Sequence, residues 1–312
     1  MLSDEIRLRL GHIHRPDGPR LPAAGLLLLP GLHRPPEAPR REPSGDELLA
    51  QADECQNASG KHLRFRRPLA MLWPAAERAI ARTLGLGATS ERSTATDAIH
   101  AELAAVADHF PADALFLDLE TCGFAGSPVF LAGLLWQVDG VLMLDQLFAR
   151  NYAEERAVLE SLWHVAARNR VLVTYNGKSF DWPMVHDRST RHHLGHDARG
   201  ALHSADHAPR GELGLGRQDP RPQLTHCDLL HHARRKWKRA LPNCKLQTLE
   251  RFVCNRSRRD DLSGAQVPAA YHEFVRTGVA RQVGAIVHHN ALDLVTLVQI
   301  ALRLLEPDRS QS

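Results

Sequence analysis

An α/β fold with a mixed sheet is what this sequence predicts over residues 111–307, and three observations carry that expectation. Short apolar runs of strand length recur at Ala114–Leu117, Val129–Val138, Val141–Phe148 and Val171–Thr174. The second and third runs meet at Asp139-Gly140, a dipeptide suited to a two-residue hairpin turn. A stretch from Ala153 to Arg168 places Val158, Leu159, Leu162, Val165 and Ala166 on one helical face, between the third run and the fourth. Strand, strand, strand, helix, strand and then helices describes an antiparallel hairpin inside a mixed sheet flanked by helices.

The remaining elements follow in chain order. Residues 1–45 hold eight of the 19 prolines and seven arginines without any hydrophobic period, which reads as an extended or disordered segment. Residues 46–110 read as a helical N-terminal appendage. Ser44, Asp46 and Glu47 precede an apolar start at Leu48, and Leu69 to Leu86 is apolar at helical spacing, with Pro74 marking a helix start. Residues 189–223 carry five histidines, several glycines and three prolines but no hydrophobic period, so a solvated insertion loop is preferred to a metal-binding tract. Helices are expected at Leu229–Trp237, at Leu246–Val253 and in a long last segment from about Val283 to Leu305.

Composition bounds the function classes. The chain has 312 residues, 43% hydrophobic and 24% charged, enough to bury a core. A balance of 39 basic against 36 acidic residues, net +3, excludes a histone-like or acidic-tail protein. Five cysteines, an odd number without CxxC spacing, argue against a disulfide framework or a zinc ribbon and for a reducing compartment, so a cytoplasmic location is expected. No uninterrupted apolar run approaches the roughly 18 residues of a membrane span, so no membrane partner is expected.

Three constellations carry candidate chemistry. Asp118-Leu119-Glu120-Thr121 closes the first strand, and residues i and i+2 of a strand share a face, so Asp118 and Glu120 converge on one spot. Carboxylates placed directly after four core residues are costly without a cation, and divalent metals with oxygen ligands are the natural compensation. Tyr175-Asn176-Gly177-Lys178-Ser179-Phe180-Asp181 follows the fourth strand and puts Asp181 at a helix start, near the carboxyl end where α/β sites assemble. In the last helix, Asp293 lies four residues after His289 and interrupts a core-facing stripe that includes Ile286, Leu297 and Ile300.

Four carboxylates in the order Asp, Glu, Asp, Asp, with a histidine before the last, resemble the DEDD superfamily of 3′–5′ exonucleases of ribonuclease H-like fold. The resemblance covers about residues 111–307. Within it, FLDLETCGFAG, VTYNGKSFDWPM, HCDLLHHARRKWKRALPNCKLQTLE and HHNALDLVTL look most like the YprB-like branch. The resemblance implies two Mg²⁺ or Mn²⁺ ions. Asp118 would bridge both, Glu120 and Asp293 would complete the nucleophile-side ion, and Asp181 would hold the second. Related enzymes carry a Tyr four residues, or a His five residues, before the final Asp. This chain offers His289 at the first spacing and His288 at the second. Helical geometry favours His289 as the base, because residues four apart are nearly aligned and residues five apart are not.

Charge distribution points to a polyanionic partner. Residues 234–259 contain ten basic side chains and one acid, while residues 111–160 contain eight acids and two basic residues. Acids to hold ions beside arginines to hold phosphates is the pattern a nuclease needs. The expected activity is hydrolysis of single-stranded DNA or RNA from its 3′ end, with Arg234, Arg235, Arg239, Thr121, Asn176 and Lys178 as nucleic-acid contacts. A catalytically silent binding module of the same fold is the alternative. Oligomeric state is not legible.

Overall fold

The computed structural model describes residues 45–89, 100–123, 126–194, 224–258 and 261–306. The Pro/Arg-rich segment and nearly all of the His-rich insertion lie outside them.

In chain order the elements are α1 (Gly45–Gln51), β1 (Asp53–Asn57), β2 (Gly60–Pro68), α2 (Leu69–Leu72), α3 (Ala76–Thr89) and α4 (Ala101–His109). Next come β3 (Ala114–Thr121), β4 (Val129–Val138), β5 (Val141–Phe148), α5 (Glu155–Ala166), β6 (Val171–Thr174) and α6 (Asp181–Arg191). The chain continues through β7 (Thr225–Asp228), α7 (Leu229–Trp237), α8 (Leu246–Phe252), α9 (Val267–Thr277) and α10 (Val283–Leu305).

Seven strands form one sheet in the order β1-β2-β5-β4-β3-β6-β7. β3 is antiparallel to β4 and parallel to β6, which is parallel to β7. The β4–β5 hairpin turns at Asp139 and Gly140, both with positive φ (49° and 83°), the requirement of a type I′ turn. β3 is buried because strands pair with both its edges and helices cover its faces. Ala114 to Leu117 are fully enclosed, so its carboxyl end carries the first polar side chains.

The reading of residues 46–110 as a mostly helical appendage missed two strands. Asp53–Pro68 forms a hairpin that extends the sheet, with β2 antiparallel to β5. Leu63 and Phe65, two apart, enter the core against Phe148, whereas His62, Arg64 and Arg66 point to the other face. Pro74 does lie between two helices, α2 and α3, as its fixed φ suits.

α10 is the central helix, packed on β3 and β4, with residues from Val283 to Leu302 buried along it. An 18-residue window within Ala280–Leu305 is apolar enough to cross a bilayer, and 78% of it is buried inside the fold, the burial of a core helix.

Candidate metal centre

The carboxyl end of β3, the start of α6 and the middle of α10 bring the four sequence-selected acids together. Period two puts Asp118 and Glu120 on one face of β3, and the strand pairing shifts register just past them, between Glu120 and Thr121. Glu120, His289 and Asp293 present ligand atoms all within 4.8 Å of one another. Asp118 and Asp181 stand just outside that trio, near enough for their charges to be felt.

Electrostatics record the crowding. Burial, followed by the neighbouring charges of Asp293, Glu120 and Asp181, pushes the Asp118 carboxyl well above its ordinary range. Burial and the charges of Asp293 and Asp181 do the same to Glu120. Burial raises Asp181 to about 7, although its carboxylate accepts a hydrogen bond from the backbone N–H of Leu119. Asp293 is also raised by burial, with Arg258 and His289 opposing.

Arg258 is the fixed cation of the site. Its guanidinium pairs with Glu250 at 2.7 Å, with Asp261 at 2.9 Å and, by a short contact, with Asp293. Arg256 also reaches Glu250, at 3.1 Å. Among the described residues, no ion pair reaches Asp118, Glu120 or Asp181. Enclosed carboxylates without a counter-charge either stay protonated or take up cations. Hard oxygen donors converging from three elements suit Mg²⁺ or Mn²⁺, so the donor set fits divalent ions.

Three positioning residues escaped the reading of the sequence. Asn290, fully buried, donates from Nδ2 to the Asp118 carboxylate at 2.8 Å and to its carbonyl oxygen at 3.2 Å. It accepts from Gln146 Nε2 at 2.9 Å, which ties β3, β5 and α10 together. Asp228, at the end of β7, caps α7 through Leu230 N–H and accepts from the backbone N–H groups of Asn176 and Lys178 at 2.8 and 3.1 Å. That fixes the loop leading to Asp181, in which Asn176 is left-handed (φ 64°). Asp261 accepts from His289 Nδ1 at 2.8 Å, and Nε2 lies on the Asp293 side, 3.4 Å from that carboxylate. Asn290 lies inside the HHNALD motif and Asp228 inside HCDLL, so an acid at a strand end was the available signal for Asp228.

The two histidines separate clearly. α10 already runs from Val283, and this register puts buried His289 beside Asp293, with His288 half-buried on another side of the helix.

Of the nucleic-acid candidates, Arg234, Arg235 and Arg239 are exposed in and just after α7, and Asn176 is exposed on its loop. Thr121 is buried and donates to the Gly123 carbonyl at 2.9 Å. Lys178 pairs with Glu102 of α4 at 2.6 Å. The basic run is not one surface: Arg256 and Arg258 turn inward, Arg251 lies 5.3 Å from the Phe252 ring, and Lys236 lies 5.9 Å from the ring of half-buried Trp237.

A family model described as the RNase_H superfamily matches residues 115–305, from the second residue of β3 to the last of α10. The chain belongs to the RNase H superfamily. Among curated proteins it is similar to the uncharacterized protein YprB of Bacillus subtilis (strain 168), 30% identical over 200 residues. That match covers 63% of this chain and 43% of the relative's length. For this RNase H-superfamily chain, the mixed seven-stranded sheet flanked by helices agrees with membership.

Proposed function

We propose that this chain is a metal-dependent 3′–5′ exonuclease of the DEDD type, acting on single-stranded DNA or RNA in the cytoplasm. The observation that carries the reading is the convergence of Asp118, Glu120, Asp181 and Asp293, three of which make no ion pair among the described residues. These four acids would hold two divalent ions, Mg²⁺ or Mn²⁺, which when bound would lower the pKa of an attacking water and neutralise charge at the leaving 3′ oxygen.

The chain's own groups do the rest. His289 Nε2 is the acceptor for the water's proton, and Asp261 fixes the ring by holding Nδ1–H. Asn290 orients the Asp118 carboxylate, and Asp228 steadies the loop that presents Asp181. Arg234, Arg235 and Arg239 supply salt-dependent grip on backbone phosphates. Residues 46–110 are proposed to be an N-terminal appendage, whose Asp53–Pro68 hairpin extends the sheet edge.

The test is a labelled oligonucleotide incubated with Mg²⁺, Mn²⁺ or EDTA, with either its 3′ or its 5′ end blocked. Ladder products that need metal and a free 3′ end are expected. Degradation in EDTA, or of the 3′-blocked strand alone, contradicts the reading.

A further inference from the structure

The face of β1, β2, β5 and β4 that lies under α5 is unusual for a sheet covered by a helix, because it is lined with charge. Directly opposed residues of paired strands share a face, so the registers Cys55↔His62, Arg64↔Leu147 and Arg66↔Asp145 place His62, Arg64, Arg66 and Asp145 on the same side. The register Leu134↔Asp145 brings Trp136, two residues on, to that side as well. α5 covers this face, and the chain just after it brings in Arg168. What remains between them is a cavity of about 260 Å³ lined by these residues.

Two features mark it as built for a ligand. His62 is only 1% exposed, and neither ring nitrogen has a hydrogen-bond partner. A buried donor or acceptor left without a partner is destabilising unless a ligand supplies one. Burial also pushes the imidazole down to about 4, so it offers one donor and one acceptor near neutral pH. Charge is the second feature: three guanidinium groups, Arg64, Arg66 and Arg168, face the one carboxylate of Asp145. Asp145 is already saturated by Arg66, at 2.6 Å through each oxygen, and by Trp136 Nε1 at 2.9 Å. Arg64 has a partner in exposed Asp53 at 2.9 Å, and Arg168 lies 5.9 Å from the Trp136 ring. Arg66 is thus neutralised by Asp145 and Arg64 by Asp53, while Glu154 and Glu160 act on His62 from a distance, so the cavity offers the Arg168 guanidinium, an Arg64 whose only acid is exposed, and an unused imidazole.

We propose that this cavity is a binding site for a small phosphate-bearing anion, separate from the carboxylate centre, with His62 donating to the phosphate and Arg64 and Arg168 neutralising it. Trp136 and Val138 line it, at the end of β4 distant from Val129, whereas Asp118 and Glu120 pair with Gly133 and Leu131 of that strand. The Trp136 ring lines the same cavity, with the Arg168 guanidinium 5.9 Å from it.

The experiment titrates inorganic phosphate, and separately adenosine 5′-monophosphate, into the full chain in EDTA, read by calorimetry and thermal shift. Excluding divalent cations silences metal-mediated binding at the carboxylates, so the result is independent of the proposed nuclease activity. Saturable binding is expected, with the affinity falling about tenfold or more in Arg64→Gln/Arg168→Gln, as loss of charge-assisted hydrogen bonds requires. His62→Leu should raise the Tm without ligand, by removing the unpaired nitrogens, and abolish the ligand-induced rise. Equal affinity for the two probes assigns the site to phosphate alone, and tighter monophosphate binding adds a base subsite; both support the proposal. No saturable binding of either probe, or wild-type affinity in either variant, overturns it.

Discussion

Replacing Gly133 with alanine tests how the sheet holds the centre together. Gly133 is the cross-strand partner of Asp118. A Cβ built there meets the buried Asn290 carboxamide, at 2.1 Å from Oδ1 and 2.8 Å from Cγ and Nδ2. An exposed side-chain end would swing away at little cost. This one is enclosed and held by Asp118 on one side and Gln146 on the other. Overpacking a tight core costs about 1–3 kcal/mol. If Asn290 moves, each hydrogen bond it surrenders leaves a buried group unpaired, for about 1 kcal/mol or more. A destabilisation of about 2–4 kcal/mol is therefore expected, with weaker Mn²⁺ affinity because Asp118 loses its orienting amide. The assay is urea unfolding of Gly133→Ala alone and in an Asn290→Ala background, where the methyl finds space. In that background the same substitution should cost less than about 1 kcal/mol. Equal costs in both backgrounds, or a single variant within about 0.5 kcal/mol of the parent, refute the packing argument.

Other expectations follow from the same geometry. His289→Ala should slow hydrolysis by about 10²-fold or more, while His288→Ala stays near normal; the reverse ranking means the α10 register does not define the base. Asp181, Asp118 and Glu120 all have carboxyls raised on folding, and such groups stabilise the fold only while protonated. For Asp181 that contribution is complete below the unfolded value of about 4 and is lost as pH rises through about 7; Asp118 and Glu120, raised by the same burial and mutual repulsion, act in the same direction. In EDTA the Tm should therefore fall between about pH 5 and about pH 8, with Mn²⁺ raising it more at the upper end. A flat EDTA profile would show that these acids do not crowd one another. Reversing Arg234, Arg235 and Arg239 to Glu should reduce the log–log salt slope of oligonucleotide binding by about 1 for each lost phosphate contact. An unaltered slope makes them a solvated face.

Legibility in the sequence followed the range of the forces involved. β4, β5 and β6 and the bounds of α10 could be read from hydrophobic period and one turn dipeptide, because local pattern and tertiary burial agree there. β2 could not. Its alternation sets Leu63 and Phe65 against His62, Arg64 and Arg66, and a charged face under a helix looks like a solvated segment until the cavity is seen. β7 is four residues long with a single apolar core residue, Cys227, and it exists because β6 offers it an edge. Asp118, Glu120 and Asp293 announced themselves by following or interrupting apolar core positions, and Asp181 by its place at a helix start just past a strand. Arg258 and Asp261 did not, since their roles arise from contacts 31 to 35 and 28 residues away along the chain. For the same reason a uniform basic run in the sequence divides in space, with Arg256 and Arg258 inward and Arg234, Arg235 and Arg239 outward.

The central claim is that the acids at the end of β3 bind divalent cations and that this binding drives phosphodiester hydrolysis. Its most direct test is Mn²⁺ titration by calorimetry, paired with turnover of a labelled single strand, for the parent chain and for Asp118→Asn. The account predicts saturable Mn²⁺ binding and metal-dependent turnover in the parent. In Asp118→Asn both should be lost, with oligonucleotide binding largely retained. Undiminished turnover in Asp118→Asn, or turnover that persists in EDTA, would contradict it.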